Sequence, residues 1–344
     1  MKGFFKLWTI FLSLLLGVTL MWNTVAVAQD TTLVQIEQKL DETLQKMEDA
    51  TRNKDRDLYE SLKKDYDHWV AAKKRLLASA NFNAKLEREK ANAYNKGNSL
   101  VQKGQYKQAI VAYKQAIELD STFALAYYGM GVAYKKLHQY KETLDAYNKA
   151  VHFNPEYSKA YFGMGTTYNS LKKFDQALHA YSMALQHDST NHRVYYAMGL
   201  VYTKLGKQKK AIEAFRKATY YNSSYYKAYN AMGVAQVELG KLQDAILSFQ
   251  NAVTFKPNYY QAYFRMARAY NDLGKHKEAL EAASNCLKHK PQYTPARVET
   301  GRAYMGLKQW DKALEEYQAA TKDPRWRQYA QYQIDEIKRQ KGTK

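Results

Sequence analysis

The chain has 344 residues, with 53 Lys and Arg against 33 Asp and Glu, and a formal net charge of +20. Its one cysteine, Cys286, excludes an intramolecular disulfide. No CxxC, HExxH, GxSxG or GxxxxGKS pattern occurs and the eight histidines are scattered, so metalloprotease, serine-hydrolase and P-loop chemistry lack the residues they need.

The first residues read as a targeting segment. Lys2 and Lys6 supply a positive end, Leu7 to Met21 an apolar run, and Ala26-Val27-Ala28 a small-residue cleavage site. The run is shorter than the roughly 20 residues a membrane span needs. The expectation is a signal peptide over 1–28, cleaved after Ala28, and a periplasmic or secreted protein with no stable membrane span after cleavage.

Residues 29–89 show two amphipathic stretches. Leu33, Ile36, Leu40, Leu44 and Met47 follow 3/4 spacing, as do Leu58, Leu62, Tyr66, Trp69 and Leu76 beyond the polar break "TRNKDRD" at 51–57. The pattern predicts either a helical hairpin that caps the segment beginning at residue 90 or a coiled coil that joins copies of the chain into a homo-oligomer through residues 31–80.

From residue 90 the chain repeats. "AYYGMGVAY" at 126–134 returns at 160–168 as "AYFGMGTTY". A period of 34 holds over seven copies without insertion: 90–123, 124–157, 158–191, 192–225, 226–259, 260–293 and 294–327. The eighth position is Gly in six copies and Ala267 in the other, and the twentieth is Ala except at Thr143. The twenty-seventh is Ala except at Cys286, and an aromatic ring holds the twenty-fourth except at Ala283. Each copy reads as two helices, about positions 1–14 and 17–30. A glycine within a helix costs about 1 kcal/mol relative to alanine, so its recurrence marks a close approach between helices, with the alanines of the second helix expected to face it. No strand precedes the Gly-x-Gly, so it is no dinucleotide-binding turn. Cys286 and the methionine at position 7 of five copies read as core filler.

These positions resemble the tetratricopeptide repeat, W-x2-L-G-x2-Y followed by A-x3-F, A and P. The resemblance covers residues 90–327. It departs from the pattern where Tyr127, Tyr161, Tyr195, Tyr229 and Tyr263 replace the usual Trp, and where methionine replaces Leu. It implies an all-α fold, a right-handed α-solenoid whose first helices line a concave groove that holds ligands. Residues 328–344 would form a capping helix and tail, with Tyr332, Ile334 and Ile337 covering the last repeat.

The charge is concentrated in the array. Residues 29–89 carry 12 basic and 13 acidic side chains, whereas 90–344 carry 39 and 20, a net of +19. On the face that the resemblance assigns to the groove, position 5 carries rings at Tyr94, Tyr128, Phe162, Tyr196 and Phe264, interrupted by Asn230. Position 2 is basic at Lys159, Arg193 and Lys227, and position 9 adds Asn98 and Arg268. Rings beside cations suit acidic peptides or anionic glycans. The other reading is that the rings pack between helices and the lysines keep the array soluble. The carboxylate clamp of some tetratricopeptide domains is not expected, since only Asn98 and Lys159 fall at its positions.

The reading is a non-catalytic scaffold of the bacterial cell envelope, with no cofactor and no metal, holding an acidic or extended protein partner. Signal, coiled coil and array in that order resemble periplasmic cell-division coordinators. The alternative is an anionic polysaccharide or peptidoglycan binding module, similar to the repeat domains of exopolysaccharide export machinery. Nucleic acid is not expected, given export and the absence of a recognition motif.

Overall fold

The computed structural model describes residues 33–342, and among these every regular element is a helix. The expected signal segment, 1–28, lies outside the described residues. No described helix is long and apolar enough to cross a membrane.

The chain divides into two compact units, one of residues up to Lys96 with Glu118–Ser121, the other of Gly97–Ile117 with Thr122 onward. In the first, α1 spans residues 33–52 and α2 spans Arg56–Gln102. The polar break becomes the turn between them. Asp55 Oδ1 accepts the Leu58 N–H at 3.0 Å and so caps the start of α2. Lys73 pairs with Glu37 at 2.8 Å, laying α1 antiparallel to α2, and Ile36, Met47 and Ala50 are buried. The expected boundary at 89/90 falls inside α2, which runs unbroken for 47 residues. Neither Gly nor Pro occurs between residues 56 and 96 to stop it.

In the second unit the helices follow the 34-residue period. They are α3 (Tyr106–Leu119), α4 (Ala124–Lys136), α5 (Tyr140–Phe153), α6 (Ser158–Ser170), α7 (Phe174–His187), α8 (His192–Lys204) and α9 (Gln208–Tyr221). The series continues with α10 (Tyr226–Glu238), α11 (Leu242–Phe255), α12 (Tyr260–Asp272), α13 (His276–His289), α14 (Thr294–Gly306), α15 (Trp310–Ala320) and α16 (Arg327–Gly342). Each first helix stops because position 15 turns into the left-handed region. Glycine takes that conformation at Gly104, Gly206, Gly240 and Gly274, but His138, Lys172 and Lys308 adopt it with a side chain at φ near 58°.

The core contains a run of position-24 rings that lie against glycines, and Tyr113 and Tyr147 are each held between two of them. Within one motif, a β-carbon on Gly129 would lie 2.6 Å from Tyr113 of the preceding repeat, and one on Gly131 would lie 2.6 Å from Tyr147 of its own. The partner of the glycine is therefore the position-24 ring, not the alanines as the sequence suggested. A flat ring lying against a bare backbone fills the space between helices better than two small side chains facing each other. The position-20 and position-27 residues, Cys286 included, are themselves fully buried elsewhere in the same layer.

First helices of successive repeats meet directly, α4 with α6, α6 with α8, α8 with α10 and α12 with α14. At the far end α16 buries Ala330, Ile334 and Ile337 against Tyr317 and Ala320 of α15. Tyr332, expected to cover the last repeat, is 59% exposed. Residues 330, 334 and 337 share one helical face and 332 lies off it.

Candidate functional groove

One side of each first helix carries positions 2, 5, 9, 12 and 13 by 3/4 spacing, with position 6 at its edge. Lys159 on α6, Arg193 on α8 and Lys227 on α10 stand in the first turns of three successive first helices. All three are exposed, and none forms an ion pair among the described residues. Arg268 on α12 is exposed likewise.

The rings beside them are half-buried. Tyr128 packs on Tyr147 with centroids 5.7 Å apart, Phe162 on Tyr181 at 5.8 Å and Tyr196 on Phe215 at 5.8 Å. Each thus leans one face on the position-24 ring of its own repeat and stays partly exposed. Packing and presentation are done by the same side chain. Burial and the neighbouring Tyr225, Tyr259 and Tyr226 phenols push the Tyr196 hydroxyl up to about 12, so it stays protonated as a hydrogen-bond donor.

Two candidates have other work. Asn98 Oδ1 accepts the Tyr113 hydroxyl at 2.8 Å, serving the core. Tyr94 is half-buried on α2 in the N-terminal unit, so the ring row of the repeat unit begins at Tyr128. Asn230 breaks the row and binds Arg265, whose Nη1 donates to Asn230 Oδ1 at 3.2 Å. Near the ends of α4 and α8, Lys135 is half-buried and donates to Thr166, and Lys204 donates to Asn169 at 3.0 Å. Burial, then the neighbouring Lys136, lowers the Lys135 ammonium. Arg302 is held by Asp272 at 2.7 Å.

Sequence reasoning missed a second row of rings. Position 34 is Tyr157, Tyr225, Tyr259 and Tyr293 in four copies, each half-buried at the start of the next first helix. Tyr157 meets Tyr128 edge-on at 5.0 Å, Tyr225 meets Tyr196 at 5.1 Å and Tyr293 meets Phe264 at 5.4 Å. The repeat alignment contains this signal, but position 34 reads as a linker until the turn folds it over position 5. Among the described residues, no three His, Cys, Asp or Glu side chains converge as metal ligands would.

Comparison with known proteins bears on the fold. Family models described as TPR repeat and tetratricopeptide repeat match residues 97–138 and 124–157. A third, described as the N-terminal ARM repeat of tetratricopeptide repeat protein 21, matches 170–314. No curated protein matches the chain significantly. The C-terminal part of a TPR repeat-containing protein from Cytophaga hutchinsonii superposes with a TM-score of 0.59 at 19% identity, covering 67% of this chain and 95% of that one. Pseudomonas aeruginosa pilF gives 0.54 at 17% identity, covering 62% and 97%. A MamA protein reaches 26% identity with a TM-score of 0.47, covering 50% and 94%. At these values the likeness to the Cytophaga and Pseudomonas structures is one of fold.

Proposed function

The chain is a tetratricopeptide-repeat protein, and from that premise we propose that it is a non-catalytic scaffold that holds an acidic, extended protein partner along its inner face. One observation carries the reading: Lys159, Arg193 and Lys227 stand exposed, with no ion pair among the described residues, on three consecutive first helices beside the half-buried rings of Tyr128, Phe162 and Tyr196. A surface that only needed solubility would gain nothing from that register. Cations in a row, flanked by ring edges and phenol donors, favour a chain of carboxylates lying across them.

We place this scaffold in a bacterial cell envelope, on the strength of the amino-terminal signal pattern, with self-association through residues 31–80. Val34, Leu44, Leu58, Val70 and Leu77 remain exposed on α1 and α2 and support that association. Light scattering of the full chain against a variant with all five changed to Ser tests it, equal masses overturning it.

The groove is tested by anisotropy titration of a fluorescein-labelled glutamate-rich peptide, with a polygalacturonate oligomer as the glycan arm. The triple change Lys159, Arg193 and Lys227 to Ala is compared with Lys141, Lys209 and Lys277 to Ala, exposed residues at position 18 of three second helices. Lys149 and Lys217 are unsuitable controls because they lie 5.5 Å over the rings of Tyr127 and Tyr195. About a tenfold loss in the groove variant alone supports the reading. Equal loss in both reduces it to bulk charge, no loss removes the groove as the site, and stronger binding of the oligomer than of the peptide shifts it to a glycan.

A further inference from the structure

The groove is not uniform. A cavity of about 260 Å³ opens between α10 and α12, backed by α11. These two first helices approach each other less closely than α12 and α14 do. The local sequence differs there in two ways. Position 5 of α10 is Asn230 where its neighbours carry Tyr196 and Phe264, and position 6 of α12 is Arg265 where the four preceding repeats carry Gly129, Gly163, Ala197 and Ala231. Gly129 and Gly163 lie against the ring of the preceding repeat, whereas α12 carries at the same position a long side chain whose Nη1 donates to Asn230 and to the Gln261 carbonyl.

The walls divide by chemistry. Val234, Val237, Phe249, Phe264 and Ala269 supply apolar surface. An engineered apolar cavity of about 150 Å³ already admits benzene, so this one accommodates a large apolar side chain. Arg265 and Arg268 stand on one wall, and Glu238 and Asp272 complete the lining. Asp272 is already committed to Arg302 at 2.7 Å, which leaves two guanidinium groups against one uncommitted carboxylate. Arg265 spends one nitrogen on Asn230 and Gln261, and a guanidinium has five N–H donors. Arg268 has no ion pair among the described residues.

We propose that this cavity is the specificity pocket of the groove, taking a large apolar side chain of the partner peptide while an adjacent Asp or Glu of that peptide pairs with Arg268 and Arg265. Apolar and charged halves are then satisfied together, and the residue pair, not the net charge, selects the partner. The pocket rests on the groove being a peptide site, and it adds what the general row of cations does not supply: a fixed register for the ligand.

The test uses the full chain and two fluorescein-labelled peptides of equal charge, Gly-Ser-Glu-Phe-Glu-Gly-Ser and the same peptide with Ala in place of Phe. The unmodified protein is expected to bind the Phe peptide about tenfold tighter. Val234→Phe fills the cavity without changing charge and is expected to erase that preference, leaving the Ala peptide unaffected. Arg268→Glu changes an exposed side chain that the core does not use, and is expected to weaken both peptides; thermal melts establish that each variant is folded. Should Val234→Phe melt early, Arg268→Glu still decides. Equal binding of the two peptides by the unmodified protein, a preference that survives Val234→Phe, or no response to Arg268→Glu overturns the pocket. The groove itself is tested separately by Lys159, Arg193 and Lys227 to Ala. Loss there with no Phe preference sinks the pocket alone, and no loss in any variant sinks both.

Discussion

Gly163 and Tyr147 come from different repeats, yet a β-carbon added to Gly163 would sit 2.7 Å from the Tyr147 ring. The opposite edge of the ring is met in the same way by Gly131. One phenol thus couples two repeats through two bare backbones. Gly163→Ala must displace a fully buried ring that has nowhere to go. The expected cost is about 1–3 kcal/mol, read as a fall in urea midpoint. Gly342→Ala, in open space at the end of α16, is the matched control and should leave the midpoint unchanged.

The position-24 hydroxyls are unequally served. Tyr113 donates to Asn98 at 2.8 Å, whereas Tyr181 Oη is buried without a hydrogen-bond partner among the described residues. Burying an unsatisfied polar group is costly and deleting it relieves that cost. Tyr181→Phe is expected to stabilise the fold by about 1 kcal/mol and Tyr113→Phe to destabilise it by about the same. Opposite shifts in denaturant midpoint check both, and shifts of the same sign would refute the assignment.

Lys172 holds φ at 59° at the turn where Gly206 and Gly240 hold theirs near 70°. A side chain in that region costs about 1 kcal/mol or more. Lys172→Gly should therefore raise the melting temperature even though it removes a side chain and adds freedom to the unfolded chain. An unchanged or lower melting temperature would show that the turn carries no strain.

Glu299 is buried beside Asn271 and Arg302, and burial raises its carboxyl above the ordinary 4.5 despite the Asn271 hydrogen bond and the Arg302 charge, which act the other way. With the folded value raised, its contribution to stability is fully present below the unfolded value and is lost as pH rises through the folded one. Glu299→Gln keeps an acceptor for Asn271 and removes the charge. It should melt higher than the unmodified protein near pH 7, with the gap closing below about pH 4.5. A gap independent of pH would mean that packing, not ionisation, sets the difference.

Much of this molecule is legible in its sequence because a repeat array is nearly one-dimensional: each unit buries its face only on its neighbours, so the constraint recurs at a fixed interval. The 34-residue period, the helix pair within it, the burial of Cys286 and the rank of small residues all follow from Gly131, Ala150 and their equivalents. The terminal helix was readable too, with Ile334 and Ile337 among its covering residues, whereas Tyr332 lies off the face that Ala330 completes. The run of α2 past residue 90 was visible as an absence of Gly and Pro and was obscured by the onset of the repeat.

What the sequence determined by itself was the periodic part: which positions are small, which are aromatic, and where the positive charge accumulates. Tertiary structure alone decided which ring each glycine clasps, that Tyr157, Tyr225 and Tyr293 meet the position-5 rings, that Asn98 serves Tyr113, and that a cavity opens between α10 and α12. These depend on how helices from adjacent repeats approach one another, a distance set by the sum of many side-chain volumes and carried by no single position.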